Sequence, residues 1–242
     1  MEAEPLPSPE QLVADAALLE VQLDVAQADQ LLEFGRALLR WNRAFNLISR
    51  KDEDRLYHRH LLDSLSVLPA LSGPRVLDVG SGPGLPGVPL AIASPSRCFQ
   101  LIDRSARRMR FVDQAARSLK LGNVVTRCGD VQTLVAQPFD TVVMRAVVDA
   151  SEAWALAGHL VATAGRLVIM ASSQTRGAVN EPRKEPAGAV DAGAVVGWRV
   201  SVRIPGLPVA HQIQILSRPG NEPAEETLKP KQAKLQSAEQ SR

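Results

Sequence analysis

The chain has 242 residues, 45% of them apolar and 22% charged, with a formal net charge of +2; this excludes disordered and fibrous classes and suits one large α/β unit with extensions. Two cysteines only, Cys98 and Cys128, argue against a secreted disulfide framework and a four-ligand zinc site, so no metal is expected. The start lacks the basic and apolar regions of a signal peptide, and no run of about 18 apolar residues offers a membrane span, which predicts a cytoplasmic protein in a reducing compartment.

Charge is unevenly placed. Residues 1–35 carry eight acids and no Lys or Arg, leaving 28 basic against 18 acidic side chains in the remainder. A basic body suits a polyanion such as RNA, although basic surfaces also occur on proteins that bind no nucleic acid.

In chain order, residues 1–26 are expected as a flexible acidic arm, with Pro5, Pro7 and Pro9 loosening its start. Residues 27–73 form an N-terminal helical section. Leu31, Leu32, Phe34, Leu38, Leu39 and Trp41 recur at helical spacing over Gln27 to Trp41, and a second amphipathic helix fits Arg55 to Leu71. From residue 74 the pattern becomes short apolar runs alternating with helical stretches, the form of repeated βα units on a mostly parallel sheet. Strands are predicted at Arg75–Val79, Phe99–Asp103, Val124–Cys128, Thr141–Arg145 and Arg166–Ala171, and helices at Pro86–Ala93, Ala106–Leu119 and Ser151–Leu160. Gln174 to Gly193 reads as a long loop. Trp198–Ile204 and His211–Leu216 read as an antiparallel pair closing one edge. This main unit ends near residue 218, and residues 219–242 are expected as a disordered basic tail.

The most informative stretch is Asp78-Val79-Gly80-Ser81-Gly82-Pro83-Gly84-Leu85-Pro86-Gly87. Glycines let a backbone turn sharply and approach a ligand closely. The dinucleotide fingerprint needs its third glycine at position 85, which is Leu85, and this weakens a nicotinamide reading. Asp103 closes the second strand 23 residues after Gly80, where an acid can accept hydrogen bonds from both ribose hydroxyls. An acid before alternate glycines resembles the first motif of class I S-adenosylmethionine methyltransferases. That resemblance implies a loop facing the methionine moiety, Asp78 orienting its ammonium, and Asp130 near the adenine amino group. For Asp130 a helix cap is an equally good reading.

Three segments in this order are more specific: Trp41 to Leu47, Arg59-His60-Leu61-Leu62-Asp63-Ser64, and Asp78 to Gly87. With Arg107 to Phe111, Leu119 to Leu121 and Phe139 to Val147, they closely resemble the bacterial small-subunit ribosomal RNA guanine-N7 methyltransferases, the glucose-inhibited division protein B family. The resemblance covers about residues 30 to 172. It implies a Rossmann-like class I methyltransferase sheet with one antiparallel edge strand, S-adenosylmethionine as cofactor, and 16S ribosomal RNA or the small ribosomal subunit as partner of a monomer. Cofactor contacts carried over by position fall on Gly80, Gly82, Leu85, Val131, Gln132 and Arg145, besides Asp78, Asp103 and Asp130. The chain departs from the family where Gln132 stands in place of a frequent Glu, and at Met170-Ala171-Ser172-Ser173, where a Lys-Gly pair is common. A methyltransferase for another substrate, or a noncatalytic RNA-binding protein with a vestigial pocket, remain as alternatives.

The expected chemistry is undemanding. Guanine N7 presents an unprotonated lone pair at neutral pH, so positioning rather than a general base is the task. Arg145, at the carboxyl end of a strand, is the residue expected to position the base or a nearby phosphate, with Asn46, His60 and Asp63 as further candidates for the guanine pocket. For His60 and Asp63 a hydrogen bond tying helix to sheet is the better expectation. Cys98 and Cys128 are expected to pack inside their strands. Arg97, Arg104, Arg107, Arg108, Arg110, Arg117, Lys120 and Arg127 suit phosphate contacts or a solvated helix face equally.

Overall fold

The computed structural model describes residues 6–146, 149–171, 183–186, 195–221 and 223. The N-terminus differs from the expected loose arm. Helix α1 (Pro9–Ala17) starts with the Ser8 hydroxyl accepting from the Gln11 N–H and with proline at its first position, where no N–H is needed. Leu12, Ala16 and Leu19 then fall on one stripe and are all at most 1% exposed. The acids that suggested a solvated arm sit off that stripe, and one of them, Asp15, accepts a 2.7 Å hydrogen bond from the Tyr57 hydroxyl.

Helix α2 (Val25–Phe45) outruns its predicted span at both ends. Asp24 and Gln27 form a reciprocal capping box, and Asn46 closes the helix in the left-handed region at φ 47. Asn46 makes this cap through its backbone N–H, which donates to the Asn42 carbonyl, and the residue is exposed. After the short helix α3 (Arg50–Glu53), the single helix expected over Arg55 to Leu71 is broken into a π-helical turn (Leu56–Leu62), α4 (Asp63–Leu65) and a 3-10 turn (Leu68–Ala70). Pro69 lies inside the last piece, where it cannot continue an α-helix. Wide π turns are frequent at functional positions, and this one carries His60.

The sheet follows: β1 (Arg75–Val79), β2 (Cys98–Asp103), β3 (Val124–Cys128), β4 (Phe139–Ala146), β5 (Val161–Ala171), β6 (Arg183–Pro186), β7 (Val196–Val202) and β8 (His211–Ser217). Helices α5 (Gly87–Ala93), α6 (Ala106–Ser118) and α7 (Ala150–Ala157) connect its parallel strands. Strand order is β3-β2-β1-β4-β5-β8-β7-β6, with the first five parallel to one another and each of the last three antiparallel to its neighbours. The parallel core matches the expectation strand for strand, and so does the antiparallel pairing of the two final runs. Strand β6, paired to β7, lies within the stretch read as loop, whose remaining residues from 174 to 182 and from 187 to 193 lie outside the described ones. The tail beyond residue 223, Ser172 and Ser173 also lie outside them.

Alternation along the strands builds two cores. Val76, Val143, Val168 and Ile215 face one side, where α1, α2, α5 and α6 cover them. Leu77, Val142 and Leu167 face the other, under Trp154 and Ala157 of α7. The helical section is joined to the sheet unit through Phe34, whose ring centroid lies 6.0 Å from that of Phe111 in α6, with Trp41 at 5.4 Å from the same ring. Cys98 and Cys128 are both exposed, contrary to expectation, because Cys98 opens β2 and Cys128 lies on the edge strand β3. Among the described residues no helix is long and apolar enough to cross a membrane, and no group of three His, Cys, Asp or Glu side chains could hold a metal ion.

Phe34 is fully buried, so Phe34→Ala is expected to cost roughly 3–5 kcal/mol. Urea denaturation measures it, with Phe45→Ala, at a 38% exposed position, expected to cost under about 1 kcal/mol.

Candidate functional site

Chain order reverses between β1 and its neighbour β4, and open α/β sheets bind ligands in the crevice at such a point, off the carboxyl ends of the strands. Asp78 lies near the end of β1 and Arg145 near the end of β4, with Val79 opposite Met144 in register. Asp103 ends the next strand on one side. On the other side Ala171 of β5 pairs with Gln212 at the start of β8. Topology thus gathers five strands' contributions at one edge.

Asp78 is 1% exposed. Its Oδ2 accepts from the Gly87 N–H at 2.8 Å, while Oδ1 is buried without a partner. Burial pushes its carboxyl up to about 7, against the lowering effects of the Gly87 hydrogen bond and of Arg145. An acidic group poised in this way, with one oxygen unsatisfied, is built to accept from a cation or donor.

The glycine loop divides into two functions. Gly80, Gly82 and Gly84 all have left-handed φ, at 68, 54 and 89. A Cβ on Gly80 would meet nothing within 4 Å, and one on Gly82 only the Gly80 carbonyl at 4.0 Å, so these two form an open floor. A Cβ on Gly84 would lie 2.7 Å from Val88, and one on Gly87 only 2.6 Å from Asp78 Oδ2, so those two are packing glycines. Leu85, 5% exposed, puts its side chain in the core and leaves only its backbone to a ligand.

Every N–H of this loop is already used. Gly80 and Ser81 donate to the Ile102 carbonyl, Gly82 to Asp103 Oδ2, Gly84 and Leu85 to the Ser81 carbonyl, Gly87 to Asp78, and Val88 to the Gly84 carbonyl. Pro83 and Pro86 have none. A pyrophosphate needs a cradle of free amides, and this loop has none to give. The dinucleotide reading therefore fails on hydrogen bonding as well as on spacing.

Asp103 is 9% exposed and accepts from Gly82 N–H at 2.9 Å and Ser105 N–H at 2.8 Å, one on each oxygen. Each oxygen keeps a second lone pair. Asp130 takes its structural role: Oδ1 caps the turn Val131–Thr133 through the Gln132 N–H, and Oδ2 pairs with Arg104 at 2.7 Å. Val131 is buried and Gln132 exposed.

Arg145 is held by three groups of the helical section. It donates to His60 Nδ1 at 3.2 Å and Ser64 Oγ at 3.3 Å, and lies 3.7 Å from Asp63 Oδ2. The other Asp63 oxygen meets His211 Nδ1 at 2.7 Å. Asp63 therefore ties helix to sheet, as expected of it. Burial and the neighbouring guanidinium push the His60 ring down to about 4. Among the described residues, the buried polar side-chain atoms without partners are His60 Nε2, Asp78 Oδ1, Ser81 Oγ, Arg145 Nε and Gln212 Oε1. All five belong to residues at this sheet edge or to the turn packed on it. Ser64 and Ser81 lie within the segments that pointed here, whereas His211 and Gln212 carry no local motif and only the antiparallel return of β8 brings them in.

Of the eight basic residues in the 97–127 run, Arg104, Arg108 and Arg117 pair with Asp130, Asp103 and Asp113, and Arg97 bonds to the Gly73 carbonyl and Ser94. Arg107, Arg110, Lys120 and Arg127 are exposed.

Sheet order and the site at its switch point define the class I S-adenosylmethionine-dependent methyltransferase fold. The chain superposes on the O-methyltransferase TomG from Streptomyces achromogenes, solved in complex with SAM, with a TM-score of 0.52 at 16% identity over 88% of this chain and 99% of that one. Sequence narrows the class to a family. The model of the family described as rRNA small subunit methyltransferase G matches residues 27–191. Ribosomal RNA small subunit methyltransferase G of Saccharophagus degradans is 39% identical over 70% of this chain and 77% of the relative. That of Methylococcus capsulatus is 38% identical over 81% and 92%. The chain belongs to the rRNA small subunit methyltransferase G family.

The two kinds of glycine give opposite expectations. Gly80→Ala adds strain of about 1–2 kcal/mol but leaves a folded protein that has lost its ligand floor. Gly87→Ala drives a methyl into the Asp78 carboxylate and destabilises the fold itself. Thermal melting alongside calorimetric titration of S-adenosylmethionine separates the two.

Proposed function

We propose that this protein transfers a methyl group from S-adenosylmethionine to N7 of a guanine in 16S ribosomal RNA, acting as a monomer in the cytoplasm, where small subunits are assembled. The observation that carries the reading is the buried Asp78 oxygen without a partner, set beside a glycine floor whose amides are spent. Such a site favours a cationic amino acid moiety over a phosphate. The relatives' name supplies the substrate class, ribosomal RNA of the small subunit.

The residues fit the cofactor. Asp78 Oδ1 would accept from its ammonium, Gly80, Gly82 and the Leu85 backbone would hold its methionine moiety, and Asp103 would offer its remaining lone pairs to the ribose hydroxyls. Val131 and Gln132 would hold the adenine, with Asp130 keeping their turn in place. When bound, the cofactor supplies an electrophilic methyl on a sulfonium. Arg145, locked by Ser64 and Asp63, positions the base or its phosphate from the end of β4. Since N7 is unprotonated, no side chain has to remove a proton first.

Two experiments test the reading. Incubating the protein with labelled S-adenosylmethionine and unmodified small-subunit RNA or subunits is expected to yield 7-methylguanosine by nucleoside mass spectrometry; labelled RNA without it, or none at all, removes the proposal.

The second uses pH. Only ionised Asp78 attracts the ammonium, and in the ligand-free protein it ionises near pH 7. Affinity is therefore expected to rise as pH climbs from 5.5 to 7, by up to about tenfold per unit. Ligand-free stability runs the other way, because a raised carboxyl favours the fold below its ordinary value and loses that contribution as pH passes upward through about 7. Calorimetry across that range should give a slope that Asp78→Asn flattens.

A further inference from the structure

We infer that His60 reads O6 of the target guanine through an N–H on Nε2, and so is a specificity-determining residue; this rests on the guanine reading above. The argument begins with hydrogen-bond inventory. A guanidinium has donors and no acceptor. Arg145 Nη1 lies 3.2 Å from His60 Nδ1, so Nδ1 must be the acceptor nitrogen and carries no proton. The ring is 7% exposed and neutral at pH 7: burial and Arg145, with Arg59, hold the proton affinity down more than Asp52 and Asp63 raise it. A neutral ring with a bare Nδ1 has its single proton on Nε2.

That Nε2–H is buried and has no acceptor, and neither has the adjacent Arg145 Nε–H. Buried donors without acceptors are rare in a finished fold. Both belong to one rigid cluster, since Ser64 and Asp63 hold Arg145 and His211 holds Asp63. The cluster stands at the end of β4, next to the strand that carries Asp78.

The base proposed to enter this place has a matching edge. Guanine presents two acceptors there, N7 and O6, whereas adenine presents N7 and a donating N6 amino group. With N7 committed to the incoming methyl, O6 is the acceptor left beside it. A His60 donor is satisfied by guanine and left facing another donor by adenine, and sites built around such a bond reject the wrong partner strongly.

The test uses small-subunit RNA ligated from segments, with the mapped methylated guanosine replaced by inosine, which keeps O6 and N7, or by 2,6-diaminopurine, which keeps N7 and puts an amino group at position 6. The wild-type protein is expected to methylate inosine within about threefold of guanosine and diaminopurine at least about a hundredfold more slowly. In His60→Leu, guanosine turnover should fall more than about tenfold and the gap to diaminopurine should close to under about tenfold, with S-adenosylmethionine affinity unchanged. His60→Gln, which retains an N–H, should keep most of the gap.

A wild-type protein that accepts diaminopurine as readily as guanosine overturns the inference, and does so even if His60→Leu fails to fold. A folded His60→Leu with the wild-type gap also overturns it. Failure to methylate guanosine at all removes the functional reading instead, so the two failures are distinguishable.

Discussion

A carboxylate buried at the end of the central strand organises the rest of this molecule. Asp78 is 1% exposed, and taking a charge out of water is costly unless something offsets it. One oxygen is satisfied by the Gly87 amide at the entrance to α5. That bond requires α5 to begin close against β1, which in turn requires a residue without a side chain at position 87, where a Cβ would collide with the acid. The second oxygen is left over. A fold that keeps such a group has given up some stability to present it, and the open space over Gly80 shows where.

The other half of the site is a contact between two parts of the chain with different origins. Arg145 comes from the sheet, but its partners His60, Ser64 and Asp63 come from the helical section ahead of it. The Phe34, Trp41 and Phe111 rings hold these parts together. The N-terminal section thus supplies these partners of Arg145, and the parallel sheet alone would leave its guanidinium without them.

Most of the parallel sheet was legible in the sequence because each strand is a short apolar run between turn residues, and the period of two or 3.6 is a local property. The same holds for Asp78, Asp103 and the glycines, whose spacing is local. What escaped has physical reasons. Helix α1 was obscured by acids and prolines, although its apolar stripe Leu12, Ala16 and Leu19 was present and its one proline, Pro9, sits at the first position, where a helix tolerates it. The π turn over Leu56–Leu62 has no periodic signature that separates it from an α-helix. The exposure of Cys98 and Cys128 depends on which strand lies at the edge, which only the sheet order decides. His211 and Gln212 belong to the site through long-range strand pairing, and no window of sequence contains both them and Arg145.

The bond between Asp63 and His211 joins positions 148 apart. A growing chain therefore emerges with its glycine loop and Arg145 long before the residue that steadies Asp63 has been synthesised. Closing so distant a pair is slow compared with local helix formation. The cluster that the helical section begins around Arg145 is thus completed only by β8, the last of the described strands in chain order.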